Sequence, residues 1–187
     1  MTIDDPATYW DSLWADGTRY RPVAEPELAT LAQHTGPGAR RTALDIGSGD
    51  GALARHLAHL GCTTTGIDCS PAAISLATEN TTADEVTFHV ADIEDPGPLP
   101  TGEQPFDLIT ARLVYAFITD KPAFLERVRH LLIPGSLLWM VPPMADRLPE
   151  DRSWVGITPD DEDLLTAGWS AGHTTDIDTM RCYALRP

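Results

Sequence analysis

Short apolar runs alternate along the chain with stretches in which apolar residues recur at helical spacing. Thr42–Ile46, Thr63–Ile67, Val86–Ala91, Phe106–Thr110 and Leu132–Trp139 are too short for buried helices and are bounded by Gly, Pro, Asp or Thr, so they predict strands. Between them, Ala52–Leu60 puts Leu53, Leu57 and Leu60 on one helix face and stops at Gly61. Ser70-Pro71 is an N-cap followed by proline in the first turn, opening a helix to about Asn80. A helix from Asp120-Lys121-Pro122 carries the stripe Phe124, Leu125, Val128, Leu131 and Leu132 and ends at Pro134-Gly135. Thr158-Pro159 opens the last helix, whose acidic first turn, Asp160–Asp163, suits the positive end of the helix dipole. Gly172–Ile177 and Met180–Leu185 read as a terminal hairpin. Near the start, Trp10 and Trp14 share one face of a short helix stopped by Gly17.

Strands that alternate with helices imply an α/β fold: a mostly parallel sheet, helices on both faces, and right-handed crossovers. A ligand then lies beyond the carboxyl ends of the strands, where the strand order reverses. No repeat or second composition interrupts the pattern, so residues 1–187 read as a single domain, with residues 1–35 as an N-terminal lid segment.

The segment Asp45-Ile46-Gly47-Ser48-Gly49-Asp50-Gly51 joins the first strand to the first helix of this pattern. Glycines there permit a tight turn and let a ligand approach bare backbone. Gly47, Gly49 and Ala52 also fit the dinucleotide fingerprint, which keeps a nicotinamide-dependent oxidoreductase open as an alternative. Asp68 ends the second strand, where an acid can bond both ribose hydroxyls, and Asp92 ends the third. A strand-end Asp also serves as a helix cap or loop residue. Asp45 two places before the first glycine, Gly51, and the acids in register together resemble the class I S-adenosylmethionine-dependent methyltransferases over roughly Thr42–Val141.

That resemblance implies a Rossmann-like, seven-stranded sheet in the order 3-2-1-4-5-7-6, with the seventh strand antiparallel. It implies S-adenosylmethionine as cofactor and S-adenosylhomocysteine as product. Asp45, Gly47, Ser48, Gly49 and Gly51 would form the cofactor loop, Asp68 would hold the ribose, and Asp92 would accept from the adenine amino group. Cys69 and Ile93 would pack the adenine; Ala111 and Arg112 would lie near the sulfur, with Tyr115 beyond them on the acceptor side. The pattern Trp10, Trp14, Gly17, Tyr20 is similar to the N-terminal segment of thiopurine, thiol/halide and tellurite-type methyltransferases, which makes Trp10 and Trp14 a lid over the cofactor or, alternatively, a helix docked on the core. Arg21 is the candidate partner of the cofactor carboxylate. Met144 and Trp154 could wall the acceptor side. Tyr115, Arg112 and His34 are the candidate catalytic residues, with His173 and Asp120 as further possible bases; in-line methyl transfer depends first on orientation and needs a base only if the acceptor must lose a proton.

Composition narrows the partners. Thirteen basic residues against twenty-eight acidic ones give a net charge of -15, unsuited to neutralising phosphates, so no nucleic-acid partner is expected. The fourth strand ends Thr110-Ala111-Arg112-Leu113, without the Asn/Asp-Pro-Pro-Tyr loop of amino-directed nucleic-acid methyltransferases. No apolar run is long enough to span a membrane, and Met1–Thr8 lacks a signal-peptide pattern, so the expected location is cytoplasmic. Three cysteines without C-x-x-C spacing suggest neither disulfides nor zinc, and no metal is expected. The expected acceptor is a small molecule, in a monomer or homodimer. A peptide- or protein-directed methyltransferase and a non-catalytic cofactor-binding module are the alternatives.

Overall fold

The computed structural model describes residues 5–35, 41–82, 86–100 and 105–187. Seven strands form one sheet: β1 (Arg41–Ile46), β2 (Cys62–Asp68), β3 (Val86–Val90), β4 (Phe106–Arg112), β5 (Leu132–Val141), β6 (Ala171–Ile177) and β7 (Met180–Arg186). Their order is β3-β2-β1-β4-β5-β7-β6, as the resemblance implied. The first five strands are mutually parallel, and β7 runs antiparallel to both β5 and β6.

Strict alternation of side chains sorts the sheet into two cores. Leu44, Ile46, Ile109, Leu138, Met140, Tyr183 and Leu185 face one side, where α5 (Lys121–Leu131) and α6 (Pro159–Thr166) supply Phe124, Leu125, Val128 and Leu165. Ala43, Leu108, Leu137, Trp139, Cys182 and Ala184 face the other, covered by Leu31 of α2 (Glu25–Thr35) and by Leu53 and Leu57 of α3 (Ala52–His59). The helix starts follow local chemistry. Ser70 caps α4 (Pro71–Glu79), Asp120 caps α5, and Thr158 with Asp161 forms a capping box on α6.

α1 (Pro6–Ala15) carries Trp10 and Trp14 as expected, and Asp5 caps it. Residues 25–35, assigned to the lid by the sequence, instead form α2, a sheet-covering helix whose Leu31 is wholly buried. The first four residues of that segment lie outside the described residues. No helix among the described residues is long and apolar enough to cross a membrane.

Candidate functional site

A cleft of about 940 Å³ opens over the carboxyl ends of the parallel strands, beneath α1. That volume lies near the top of the ~300–1,000 Å³ range of small-ligand sites and leaves room for two ligands side by side. It straddles the point where the order reverses between β1 and β4. Of the sequence candidates, Trp10, Trp14, Arg21, Asp45, Gly47, Ser48, Gly49, Asp68, Cys69, Asp92, Ile93 and Arg112 line it.

The floor is the loop after β1. Gly49 has φ +53°, and a Cβ there would stand 2.8 Å from Trp14 Cζ2, so the loop is bare backbone with the Trp14 indole resting on it. Gly47, also at positive φ, is closed off in the same way by the Val114 side chain, which follows Leu113 in the left-handed region at φ 61°. Gly51 does not join them. It is the N-cap of α3 and presses on Phe88, which a Cβ would approach to 2.6 Å, so its role is helix-to-strand packing rather than ligand contact.

Asp68 ties the floor to β2: its two carboxylate oxygens accept from the Gly49 and Ser70 backbone N–H groups, each at 2.9 Å. One bond per oxygen leaves lone pairs on both for ribose hydroxyls. Burial is the main influence on its pKa and raises it, against the lowering effect of those two N–H donors. Asp45 sits deeper, 2% exposed; Thr110, its register partner on β4, donates its hydroxyl to Oδ1 at 2.6 Å, while Oδ2 has no partner. Burial, with the Asp68 charge adding to it, pushes the Asp45 carboxyl up to about 7 despite Thr110 and Arg112. Asp92 accepts from the Glu94 N–H at the end of β3. The Cys69 thiol is pushed up to about 12 by burial and the nearby acids, which keeps it protonated near neutral pH.

Three cleft-lining residues, Tyr20, Asp45 and Ser48, each hold a buried polar oxygen with no partner among the described residues. Buried polar groups are almost always satisfied, so such a cluster fits a ligand that supplies the missing bonds. An ammonium suits Asp45 Oδ2, and a hydroxyl or carboxylate suits Ser48 Oγ and Tyr20 Oη. The acids at the ends of β2 and β3 complete a nucleoside-shaped set, so the residues present fit the expected cofactor.

The roof is aromatic. Trp10 lies edge-on to Tyr20 (5.6 Å) and Phe117 (4.6 Å), and Trp14 to Tyr20 (5.0 Å). Asp11 pins this roof to α4, accepting from the Ser70 hydroxyl and the Ala72 N–H at 2.8 Å each.

Several candidates have other work. Arg112 donates to Glu27 Oε1 at 2.6 Å and to the carbonyls of Arg21 and Pro22, clamping the chain between α1 and α2 onto the end of β4. Its guanidinium is thus spent on structure, although its stem borders the cleft. Arg21 reaches the turn between β6 and β7, where Asp178 holds it at 2.5 Å, which competes with the cofactor carboxylate proposed for it. Ala111 and Tyr115 are buried in the α5-side core and do not line the cleft; burial pushes the Tyr115 hydroxyl well above the usual phenol range. His34 lies near Trp139 and His173, around an indentation lined by Arg41, Asp107 and Gly135 at the amino ends of β1, β4 and β5, the opposite edge of the sheet from the cleft. Asp120 caps α5, and Met144 is core, accepting from Tyr183 Oη. Trp154 backs Phe117 at 6.0 Å. Among the described residues no three His, Cys, Asp or Glu side chains are placed to hold a metal ion.

Sequence reasoning passed over Tyr20, Glu27, Phe117 and Arg152. Tyr20 stood in the quoted Trp-Trp-Gly-Tyr pattern and could have been read as a ligand. The others carry no local signal.

Residues 44–140 match the family model described as a methyltransferase domain. The ubiquinone biosynthesis O-methyltransferase of Methylobacterium nodulans is 30% identical over 143 residues, covering 71% of this chain and 57% of the relative. The ribosomal protein L11 methyltransferase of Thermus thermophilus is 32% identical over 151 residues, covering 79% and 57%. The chain thus spans little more than half the length of these relatives. Among solved structures, an S-adenosylmethionine-dependent methyltransferase from Mesorhizobium loti superposes with a TM-score of 0.71 at 17% identity, covering 86% of this chain and 97% of that one, a likeness of fold.

Proposed function

Because the chain belongs to the class I S-adenosylmethionine-dependent methyltransferases, we propose that it moves a methyl group from S-adenosylmethionine to an N, O, S or C atom of a small molecule. The observation that carries this reading is the convergence of three unpartnered buried oxygens, from Tyr20, Asp45 and Ser48, on the cleft where Asp68 holds the glycine loop. When bound, the cofactor would supply a sulfonium methyl to the acceptor's nucleophile, the new bond to carbon forming as the S–CH3 bond breaks and S-adenosylhomocysteine departs.

The residues of this chain supply position and dryness. Asp68 and Asp92 orient the nucleoside, Asp45 and Ser48 orient the amino-acid end, and Trp10 and Trp14 close the site to water. Orientation of two bound reactants is worth about 7–11 kcal/mol of barrier, enough that no special nucleophile is required. No histidine lines the cleft among the described residues, and burial pushes the Cys69 thiol up to about 12, so neither type of side chain offers a base there near neutral pH. The roof of α1 favours a small acceptor over a protein side chain, which would need an open mouth.

Calorimetric titration with S-adenosylhomocysteine, wild type beside Asp68→Ala, tests the assignment. The expected result is measurable binding to the wild type and at least a tenfold loss in the variant, about 1.4 kcal/mol. No heat with a folded wild type refutes it.

A further inference from the structure

The two ends of the cleft are built differently. The acids expected to hold the cofactor stand at the ends of β1, β2 and β3. Over β4 and β5 the walls come from the short helical turns Tyr115–Phe117 and Glu150–Val155 and from α1, and they are apolar: Pro6, Trp10, Phe117, Leu148 and Val155. Trp10 and Phe117 meet edge to face, and Trp154 backs Phe117 from outside the cleft lining, a surface that suits a flat or hydrocarbon body.

Charge at this second end is one-sided. Four arginines border the cleft. Arg112 is committed to Glu27 and two carbonyls, and Arg21 to Asp178. Arg19 lies over the Trp14 ring at 5.7 Å and donates to the Thr18 carbonyl. Arg152, on the Glu150–Val155 turn, has no side-chain hydrogen bond or ion pair among the described residues and is exposed. Among the acids that line the cleft, Glu94 accepts from the Thr119 and Asp120 N–H groups through both oxygens, and Asp50 accepts from Ala52 N–H at the start of α3. Glu150 and Asp151 precede Arg152 on the same turn but do not line the cleft, so at the cleft wall itself an anion would meet an uncommitted guanidinium. In a chain of net charge -15, long-range repulsion opposes an anionic ligand, and a local unpaired arginine is the feature that offsets it.

We infer that the methyl acceptor is a small organic anion, a carboxylate or phosphate monoester on an apolar or aromatic body, whose anionic group pairs with Arg152 while the body lies against Trp10 and Phe117. This rests on the methyltransferase reading of the same cleft. Arg152 is a binding and specificity residue here, since a guanidinium fork meets a carboxylate or phosphate with two parallel bonds.

The test uses the full chain saturated with S-adenosylhomocysteine, titrated with matched probes: phenylacetate against phenylacetamide, phenyl phosphate against phenol, and phenethylamine as the cation. At low ionic strength the anions should bind about three- to tenfold more tightly than their neutral partners, the range for a partly exposed guanidinium pair. Arg152→Gln should erase that preference and leave the affinity for S-adenosylhomocysteine unchanged; the two anion pairs separate carboxylate from phosphate. Equal binding of neutral partners, absence of anion binding, tighter binding of phenethylamine, or a preference that survives Arg152→Gln overturns the inference while the cofactor assignment stands. Failure of the wild type to take up S-adenosylhomocysteine overturns the methyltransferase reading itself.

Discussion

Replacing Asp45 by Asn removes a charge that the unliganded fold holds at a cost. The carboxyl is almost fully enclosed, with one oxygen served by Thr110 and the other by nothing. Its pKa, ordinarily 3.8, stands near about 7 because burial disfavours the ionised form and Asp68 repels it. The folded state therefore binds this proton more tightly than the unfolded chain. The resulting stability is fully present below pH ~4 and is lost as pH rises through about 7, by linkage. The gap between the two values corresponds to about 4 kcal/mol. Asp68 is pushed in the same direction and remains in the variant, so the difference between wild type and Asp45→Asn reports Asp45 together with its repulsion of Asp68. The amide introduces N–H groups that need partners, at about 1–3 kcal/mol. The expected net result is a variant about 1–3 kcal/mol more stable than wild type at pH 8 and no more stable at pH 4.5. Urea denaturation at several pH values measures it. Binding of S-adenosylhomocysteine should move the other way, weakening about tenfold or more at pH 8, because a charge-assisted bond contributes ~1.5–3 kcal/mol. A stability difference that stays constant between pH 4.5 and 8 would refute the reasoning, since a buried ionisation cannot act without pH dependence.

Arg112→Ala strands the buried Glu27 carboxylate and should cost about 3–5 kcal/mol in urea denaturation, with the Arg112→Ala, Glu27→Ala double variant recovering part of it. Tyr20→Phe removes a hydroxyl that finds no partner among the described residues, so stability should hold or rise slightly while calorimetry shows S-adenosylhomocysteine bound about two- to tenfold more weakly. A uniform loss of stability without a binding effect would contradict this role for Tyr20. Gly49→Ala forces a Cβ against Trp14 at positive φ, and weakened S-adenosylhomocysteine binding should be partly restored by adding Trp14→Ala.

Local signals determined most of the scaffold. Apolar runs marked the five parallel strands and the terminal hairpin, because a buried strand needs a contiguous or alternating apolar stretch. Ser70-Pro71, Asp120 and Thr158 announced helix starts because capping is settled within a few residues. The glycine loop and Asp68 were legible for a related reason: the turn requires positive φ, and the strand-end acid follows at a fixed place in the β-α-β unit.

Long-range pairing decided the rest. α2 escaped notice because its inward face carries a polar residue, Glu27, made tolerable by Arg112, eighty-five positions away. Arg21 and Arg112 have the same guanidinium in the sequence whether they grip a ligand or a carbonyl, and only the approach of Asp178, Glu27 and the Arg21–Pro22 backbone assigned them to structure. Tyr115 and His34 looked chemically able, yet one faces the core beneath α5 and the other lies at the far edge of the sheet. Periodicity and turn chemistry are properties of neighbouring residues, so the chain by itself determined the strands and the glycine loop. Which polar atoms are satisfied, and which lack a partner among the described residues, as at Asp45, Ser48 and Tyr20, depends on contacts between distant segments, and only the folded structure decided it.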